Sequence, residues 1–234
     1  MNDPLEGIAF YAVFVFSVTV HEAAHAYTAM KGGDLTAYHG GQVSLDPLPH
    51  MKRELFGMLI LPIITIFTNG FPIGYASAPY DPAWAARHPT RAAWMALAGP
   101  GANLAMTLAA VLAFRIGISA GAFTAPDSLD ITRVTAAVGD PGSLAAAAAF
   151  LLSIFFSMNL LLFVLNMLPV PPLDGSGGLA LLLPQRWFDA YQDFCRQPIV
   201  AIGALLLVWN FAGEVFWPCF HFVVGLLYPG VTYG

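Results

Sequence analysis

Five long apolar runs constrain the fold of this chain. They lie at residues 8–30, 55–73, 92–118, 144–168 and 199–228. A helix needs about 20 mostly apolar residues to cross the hydrocarbon core of a bilayer. Only 10% of the 234 residues are charged, whereas a soluble domain carries about 25%. The pattern predicts an all-α polytopic membrane protein with about five to six membrane segments.

Charge and cysteine content exclude several other classes. The net charge of -5 leaves no basic surface for nucleic acid. The two cysteines, Cys195 and Cys219, form neither a disulfide framework nor a thiolate zinc motif. The N-terminal flank is acidic, and its apolar run exceeds the length of a signal peptide, so we expect a retained first span.

The distribution of Lys and Arg predicts the orientation in the membrane. Residues 31–91 contain five of the nine basic residues, and residues 186–196 contain two more. The N-terminal flank contains none and carries Asp3 and Glu6. Because cytoplasmic loops are enriched in Lys and Arg, the N-terminus is predicted to lie outside and the basic regions inside.

The first apolar run contains the motif HEAAH at residues 21–25. Residues four apart share a helix face, so His21 and His25 can bind one metal ion. Glu22 can reach a water molecule on that metal and act as general base, as in metalloproteases. The alternative is that these groups pair only with other buried polar groups. Their depth in an apolar helix favours function, because ionisable residues there are costly.

A catalytic zinc also needs a third protein ligand, and Asp174 is the candidate. It follows a proline-rich stretch, PVPP at residues 169–172, directly after an apolar run. Prolines cannot continue a helix, and irregular backbone at membrane depth is tolerated only where it lines a cavity or is buried in protein. Taken alone, an isolated PLDG segment is better interpreted as an ordinary loop turn.

Three motifs in this order resemble the site-2 protease family of intramembrane zinc metalloproteases. They are HEAAH at 21–25, AGPGAN at 98–103 and NMLPVPPLDG at 166–175, and they match the family's HExxH, GPxxN and NxxPxPxLDG. The chain resembles the compact form without a PDZ domain. In place of the Gly-Arg or Gly-His that often follows LDG in this family, the sequence has Ser176.

The resemblance implies a role for each matching residue. His21, His25 and Asp174 match the ligands of one catalytic zinc ion, and Glu22 matches the catalytic base. Asn103 and Asn166 match asparagines that hold the substrate backbone or support the oxyanion. For both asparagines the alternative is hydrogen bonding between helices.

The positions of the motifs predict a topology. HEAAH lies late in its helix, AGPGAN early in the next, and LDG just past the end of another. All three reach one depth only if residues 55–73 re-enter the membrane instead of spanning it. We also expect a strand-like edge at residues 40–45, GGQVSL, that could hold an unwound substrate by β-augmentation.

The remaining segments complete the predicted organisation. The whole chain, 1–234, is expected to form a single membrane-embedded protease domain. Its catalytic core covers about 8–179, and amphipathic and membrane segments cover 180–234. Residues 179–197 are predicted to lie along the membrane surface. Glu214 and His221 share a helix face, where they could pair with each other or line a water path.

The predicted function is cleavage of membrane-protein substrates in or near their transmembrane segments. The resemblance implies regulated intramembrane proteolysis or clearance of signal-peptide remnants, in the plasma or inner membrane, with the active site toward the cytoplasm. One alternative is a catalytically silent relative that binds zinc and membrane clients. Another is a metal transporter, which would need polar ligands along several spans.

Overall fold

The computed structural model describes residues 4–231 and 233, and most of them are helical. In chain order the helices are α1 (Pro4–Gly32), α2 (Thr36–His39), α3 (Pro47–Arg53), α4 (Leu61–Asn69), α5 (Pro82–Arg87), α6 (Pro89–Ser119), α7 (Leu144–Asn166), α8 (Gly175–Gly178), α9 (Gln185–Cys195) and α10 (Pro198–Leu227). A π-helical turn, Phe56–Ile60, leads into α4, and a 3₁₀ turn, Leu179–Leu181, follows α8.

Four of these helices, α1, α6, α7 and α10, are long and apolar enough to cross a membrane. Together with the shorter apolar helix Phe56–Asn69, they account for the five apolar runs of the sequence. The prediction of an all-α polytopic membrane protein is therefore confirmed.

The four long helices alternate in direction. The end of α1 at Gly32 lies against Trp84 and Arg91, near the start of α6, so α1 and α6 are antiparallel. Helix α7 is antiparallel to α6, because Asn103 contacts Asn159 and Phe114, further along α6, contacts Phe156, further back on α7. Helix α10 returns beside α6, where Arg115 Nη1 donates to the Leu227 carbonyl at 3.1 Å. This order brings the end of α1, the start of α6 and the end of α7 to one level.

The core lies between α6, α7 and α10. Three fully buried phenylalanines, one from each helix, pack there. The ring centroid of Phe156 lies 5.8 Å from that of Phe114 and 6.0 Å from that of Phe220. A second cluster, which includes Phe10, Phe14 and Met58, joins α1 to α7 and to the segment after α3. Both clusters hold the helices that carry the three motifs in fixed register.

Residues 56–75 form a hairpin whose two ends meet. Helix α4 ends at Gly70, whose φ of 75° is left-handed, and the chain then runs back along the helix. Thr65 Oγ1 accepts from the Ile73 backbone N–H at 2.8 Å, and the Tyr75 N–H donates to the Gly57 carbonyl at 3.1 Å. The segment thus leaves and rejoins the same end of the bundle, as the re-entrant prediction requires.

The prediction of a strand at residues 40–45 is wrong. Gly41 adopts a φ of 73°, and the Gln42 N–H donates to the Ala37 carbonyl at 3.0 Å, so the chain turns there. The short alternation of polar and apolar residues does not outweigh this turn at the end of α2. The strands in the described part of the chain are β1 (Phe123–Thr124) and β2 (Ala136–Ala137), an antiparallel pair between α6 and α7.

The close approach within the hairpin gives a testable prediction. A Cβ on Gly57 would overlap the Tyr75 carbonyl oxygen and lie 2.9 Å from Cδ2 of the Tyr75 ring. We expect Gly57→Ala to destabilise the protein by about 1–3 kcal/mol, because the two arms of the hairpin must separate. Thermal unfolding in detergent measures this. The control is Gly225→Ala on α10, where no atom lies within 4 Å of the new Cβ; equal melting temperatures for the two variants would contradict the prediction.

Candidate active site

Helix α1 presents His21, Glu22 and His25 to the interior of the bundle. Their exposed fractions are 7%, 5% and 5%, although all three side chains are polar. The spacing of four residues places both imidazoles on one helix face, with Nε2 of His21 2.9 Å from Nε2 of His25. The donor atoms of the three residues lie within 4.8 Å of one another.

The loop after α7 brings Asp174 to the same point. The three prolines at 169, 171 and 172 prevent α7 from continuing, so the chain folds back beneath the helix. Asp174 Oδ2 lies 3.0 Å from His21 Nε2 and 3.3 Å from His25 Nε2. Gly175 permits this path, because a Cβ there would overlap the backbone carbonyls of Met167 and Leu168.

The outer nitrogens of both imidazoles face acceptors. His21 Nδ1 lies 2.5 Å from Asn103 Oδ1, and His25 Nδ1 lies 2.7 Å from the Met95 carbonyl. Because an amide oxygen and a carbonyl can only accept, each Nδ1 carries a proton, and Nε2 is the ring nitrogen that points inward. In the neutral rings, two nitrogen lone pairs and a carboxylate oxygen therefore converge.

Such a convergence requires a positive charge at its centre. One proton can satisfy only one of the three contacts, whereas a metal ion satisfies all three. Zinc with bonds of about 2.0–2.2 Å in tetrahedral geometry separates its ligand atoms by roughly 3.3–3.6 Å. The observed separations of 2.9, 3.0 and 3.3 Å are only slightly shorter. Two imidazoles and one carboxylate also suit zinc chemically, so these residues fit the ion.

Glu22 differs from the other three residues because its Oε2 atom has neither a hydrogen-bond partner nor an ion-pair partner among the described residues. This atom is buried, and the residue lines a cavity beside His25 and Asp174. A buried carboxylate oxygen without a partner is costly, and such atoms in native proteins mark reactive sites or bound groups. Glu22 is thus free to accept a proton in the cavity.

Helix α6 closes one side of this arrangement through Gly99, in the motif AGPGAN. A Cβ on Gly99 would overlap His25 Nε2 and lie 2.5 Å from His21 Nε2. Only glycine allows the α6 backbone to lie so close to the two imidazoles. The requirement for this glycine in the second motif is therefore steric.

The cavity itself measures about 660 Å³ and extends from the donor atoms toward α9. One wall is the irregular segment 76–80, and another is the first turns of α6. The third wall is the polar face of α9, which contributes Gln185, Asp189, Gln192 and Asp193. The amphipathic segment predicted for 179–197 thus turns its polar side toward the cavity.

Hydrogen bonds hold the segment 76–80 in place at both ends. Ser77 Oγ donates to Glu54 Oε1 at 2.5 Å, and the Asp81 N–H donates to Asp34 Oδ2 at 2.8 Å. Burial alone would raise the pKa of the Asp34 carboxyl, but hydrogen bonds from Thr36 and Asp81 hold this pKa below its usual value. Within the described chain, the backbone N–H groups of Ala76 and Ala78 have no partner.

The two predicted asparagines lie in different surroundings. Asn103 is fully buried, and its Nδ2 donates to Asn159 Oδ1 at 2.9 Å, so both ends of its amide are occupied. Asn166 is partly buried, and its Nδ2 donates to the Leu162 carbonyl of its own helix at 3.0 Å. The structure joins Asn103 to the histidines and leaves Asn166 at the end of α7.

Sequence reasoning missed Asn159, which lies in the middle of the most apolar helix, α7. An asparagine at that depth was itself a signal, because polar residues within membrane helices find partners. Glu214 and His221 lie on the exposed side of α10, and no ion pair joins them in residues 4–231.

The fold and the site together define a multi-pass membrane protein with a buried HExxH centre. The sequence matches the model of peptidase family M50 over residues 9–209. The chain therefore belongs to this family, the site-2 proteases, and it is a zinc metalloprotease. The prediction from the three motifs is confirmed at the level of family and enzyme class.

Individual relatives agree with the family. YwhC of Bacillus subtilis, which is described as a zinc metalloprotease, is 31% identical over 170 residues, or 73% of this chain and 67% of YwhC. Two proteins named Rip2, with the same description, are each 30% identical. The one from Mycolicibacterium smegmatis aligns over 76% of this chain and 61% of its own length, and the one from Mycobacterium tuberculosis over 92% and 77%. No solved structure matches the chain significantly.

Proposed function

We propose that this chain hydrolyses peptide bonds in or next to the transmembrane segments of other membrane proteins, with one zinc ion held by His21, His25 and Asp174. The observation that carries the proposal is the convergence of three candidate metal-binding atoms at the wall of a cavity that borders the membrane helices α1 and α6. A bilayer-embedded site of this kind suits substrates that are themselves in the bilayer.

The residues divide the chemistry between them. A zinc ion bound there would supply a Lewis acid that polarises the scissile carbonyl and acidifies a water molecule. Glu22 accepts the proton of the attacking water through its unpartnered Oε2 and passes it to the leaving amine. The peptide bond breaks as the water oxygen bonds to the carbonyl carbon, so the products are one carboxylate and one amine.

A helical substrate must unwind before cleavage, because its carbonyls are hydrogen-bonded within the helix. The backbone N–H groups of Ala76 and Ala78 have no partner in the described chain, so they can pair with an extended substrate segment in the cavity. Residues 76–78 would then provide the substrate-binding edge that the sequence suggested at residues 40–45. Asn166 is the candidate donor to the oxyanion, because a substrate could replace its bond to Leu162.

The orientation proposed from charge is compatible with the fold. Both ends of the hairpin at residues 56–75 and the start of α6 lie at the level of the site, and these regions carry most of the basic residues. We place them toward the cytoplasm of the plasma or inner membrane, with the N-terminus outside. Substrates would then be membrane-bound signalling proteins or remnants of signal peptides, cut near their cytoplasmic side; nucleic acid is not a partner.

Cleavage by the purified full chain tests the proposal. A panel of tagged single-span reporters is incubated with the protein in detergent and in liposomes, with and without a chelator. We expect cleavage that the chelator abolishes and that added Zn²⁺ restores. A protein that retains zinc but cuts none of the panel would support a silent relative. Zinc flux into sealed vesicles without cleavage would support a transporter.

A further inference from the structure

A chain of buried hydrogen bonds connects three helices to His21. Asn103 Oδ1 accepts from His21 Nδ1, and Asn103 Nδ2 donates to Asn159 Oδ1. Asn159 Nδ2 donates in turn to Ser17 Oγ at 3.0 Å and to the Phe155 carbonyl at 2.8 Å. This series of hydrogen bonds therefore begins on α1 at Ser17, crosses α7 and α6, and returns to α1 at His21.

The hydrogen bonds of Asn159 fix the orientation of two side-chain amides, its own and that of Asn103. Both hydrogens of its Nδ2 are used by acceptors, so its Oδ1 must face Asn103. The oxygen of Asn159 can only accept, which turns Nδ2 of Asn103 toward it and Oδ1 of Asn103 toward His21. That oxygen in turn requires a proton on His21 Nδ1, so that in the neutral ring Nε2 is the nitrogen with the lone pair.

Burial makes it costly to turn either side-chain amide around. Ser17, Asn103 and Asn159 have exposed fractions of 0%, so no water can replace a lost bond. If the Asn103 amide turned over, two N–H groups would face each other at His21 and two oxygens would face each other at Asn159. An arrangement that satisfies every buried amide atom is thus a single, defined state.

We propose that Asn159 is a positioning residue that holds His21 in the tautomer with a free Nε2 lone pair. It acts through Asn103 and touches neither substrate nor metal. This inference rests on the proposed metal site, and it explains why a polar residue is placed in the middle of the most apolar helix. Partners beyond the ligands commonly change metal affinity by about 10- to 100-fold when they are removed.

The test measures metal affinity on the purified full chain, without any cleavage step. Asn159→Leu removes both the acceptor for Asn103 and the donors to Ser17. We expect its affinity for Zn²⁺ and Co²⁺, measured by competition with a chromophoric chelator, to fall about 10- to 100-fold. The visible absorption of bound Co²⁺ is expected to shift, because the orientation of one imidazole ligand is no longer fixed.

Two further variants separate positioning from general stability. Asn159→Asp keeps an oxygen that accepts from Asn103, and as the neutral acid favoured by burial it also has an O–H that donates to the Phe155 carbonyl, so we expect it to retain most of the wild-type affinity and the Co²⁺ spectrum. Ser153→Ala is the matched control, because Ser153 is fully buried on the same helix and its hydroxyl bonds only outside the site. It should lower the melting temperature without changing metal affinity.

The outcomes distinguish this inference from the proposed function. If the wild-type protein binds metal tightly and Asn159→Leu binds it equally well, with an unchanged Co²⁺ spectrum, the positioning role is overturned and the metal site stands. If the wild-type protein binds no metal, the proposed site itself fails. Should Asn159→Leu not fold, Ser17→Ala removes one bond to Asn159 and is expected to weaken metal binding in the same direction; unchanged binding in that variant would overturn the inference.

Discussion

Replacing Glu22 with Gln is expected to lower the rate of reporter cleavage by about 100- to 10,000-fold and to leave bound zinc unchanged. General acid–base groups contribute about this much to catalysis. Gln keeps the shape of Glu22 but cannot accept the proton of the attacking water. The ligand atoms of His21, His25 and Asp174 do not depend on the Glu22 carboxylate, so the zinc content should stay the same.

Cleavage rates and zinc content after dialysis, measured on the same preparations, test this expectation. The matched control is Glu214→Gln, the same substitution on the exposed side of the membrane helix α10. It is expected to cleave at the wild-type rate. A Glu22→Gln protein that cleaves normally would show that another group acts as the base. Loss of zinc from this variant would instead make Glu22 a ligand.

Gly99→Ala is expected to abolish metal binding and cleavage together, although it adds only one methyl group. The new Cβ would occupy the space of His25 Nε2 and lie 2.5 Å from His21 Nε2, so the imidazoles or α6 must move. A displacement of about 1 Å can lower a rate about 100-fold. An alanine within a helix otherwise stabilises it by about 0.5–1 kcal/mol relative to glycine. Helix propensity alone would therefore predict a more stable protein with an intact site.

The control for this substitution is Gly101→Ala, two residues further along the same helix. No atom lies within 4 Å of a Cβ at Gly101. We expect normal zinc content and cleavage for this variant, with equal or higher thermal stability. If the two alanine variants behave alike, α6 does not lie against the imidazoles as closely as described.

The sequence was sufficient to predict features that depend on local spacing. The two imidazoles on α1 follow from a separation of four residues in a helix. The hairpin path of residues 55–73 follows from requiring all motifs to reach one depth. Both depend on helix geometry, which the order of residues determines directly. Asp174 is different, because its segment taken alone suggests a loop turn, and only the resemblance of the third motif to the family implied its role.

Other features depend on contacts between distant segments, which no local pattern contains. The bond between Asn159 and Asn103 forms only because α6 and α7 pack in one register. Residues 40–45 alternate like a strand, but the segment that lines the cavity is the irregular stretch 76–80, more than 30 residues further along the chain. The polar face of α9 was visible in the sequence, whereas its position beside the donor atoms was not.

The order in which the donor atoms occur along the chain has a consequence for biosynthesis. His21 and His25 lie on α1, whereas Asp174 follows α7, the third of the four long helices in the described part of the chain. A nascent chain that contains α1 but not yet α6 and α7 therefore holds two of the three proposed metal-binding residues and lacks the cavity beside them. On the proposed metal site, we expect proteolytic activity to begin only after α7 has joined the bundle, so that the enzyme is latent while it is being made.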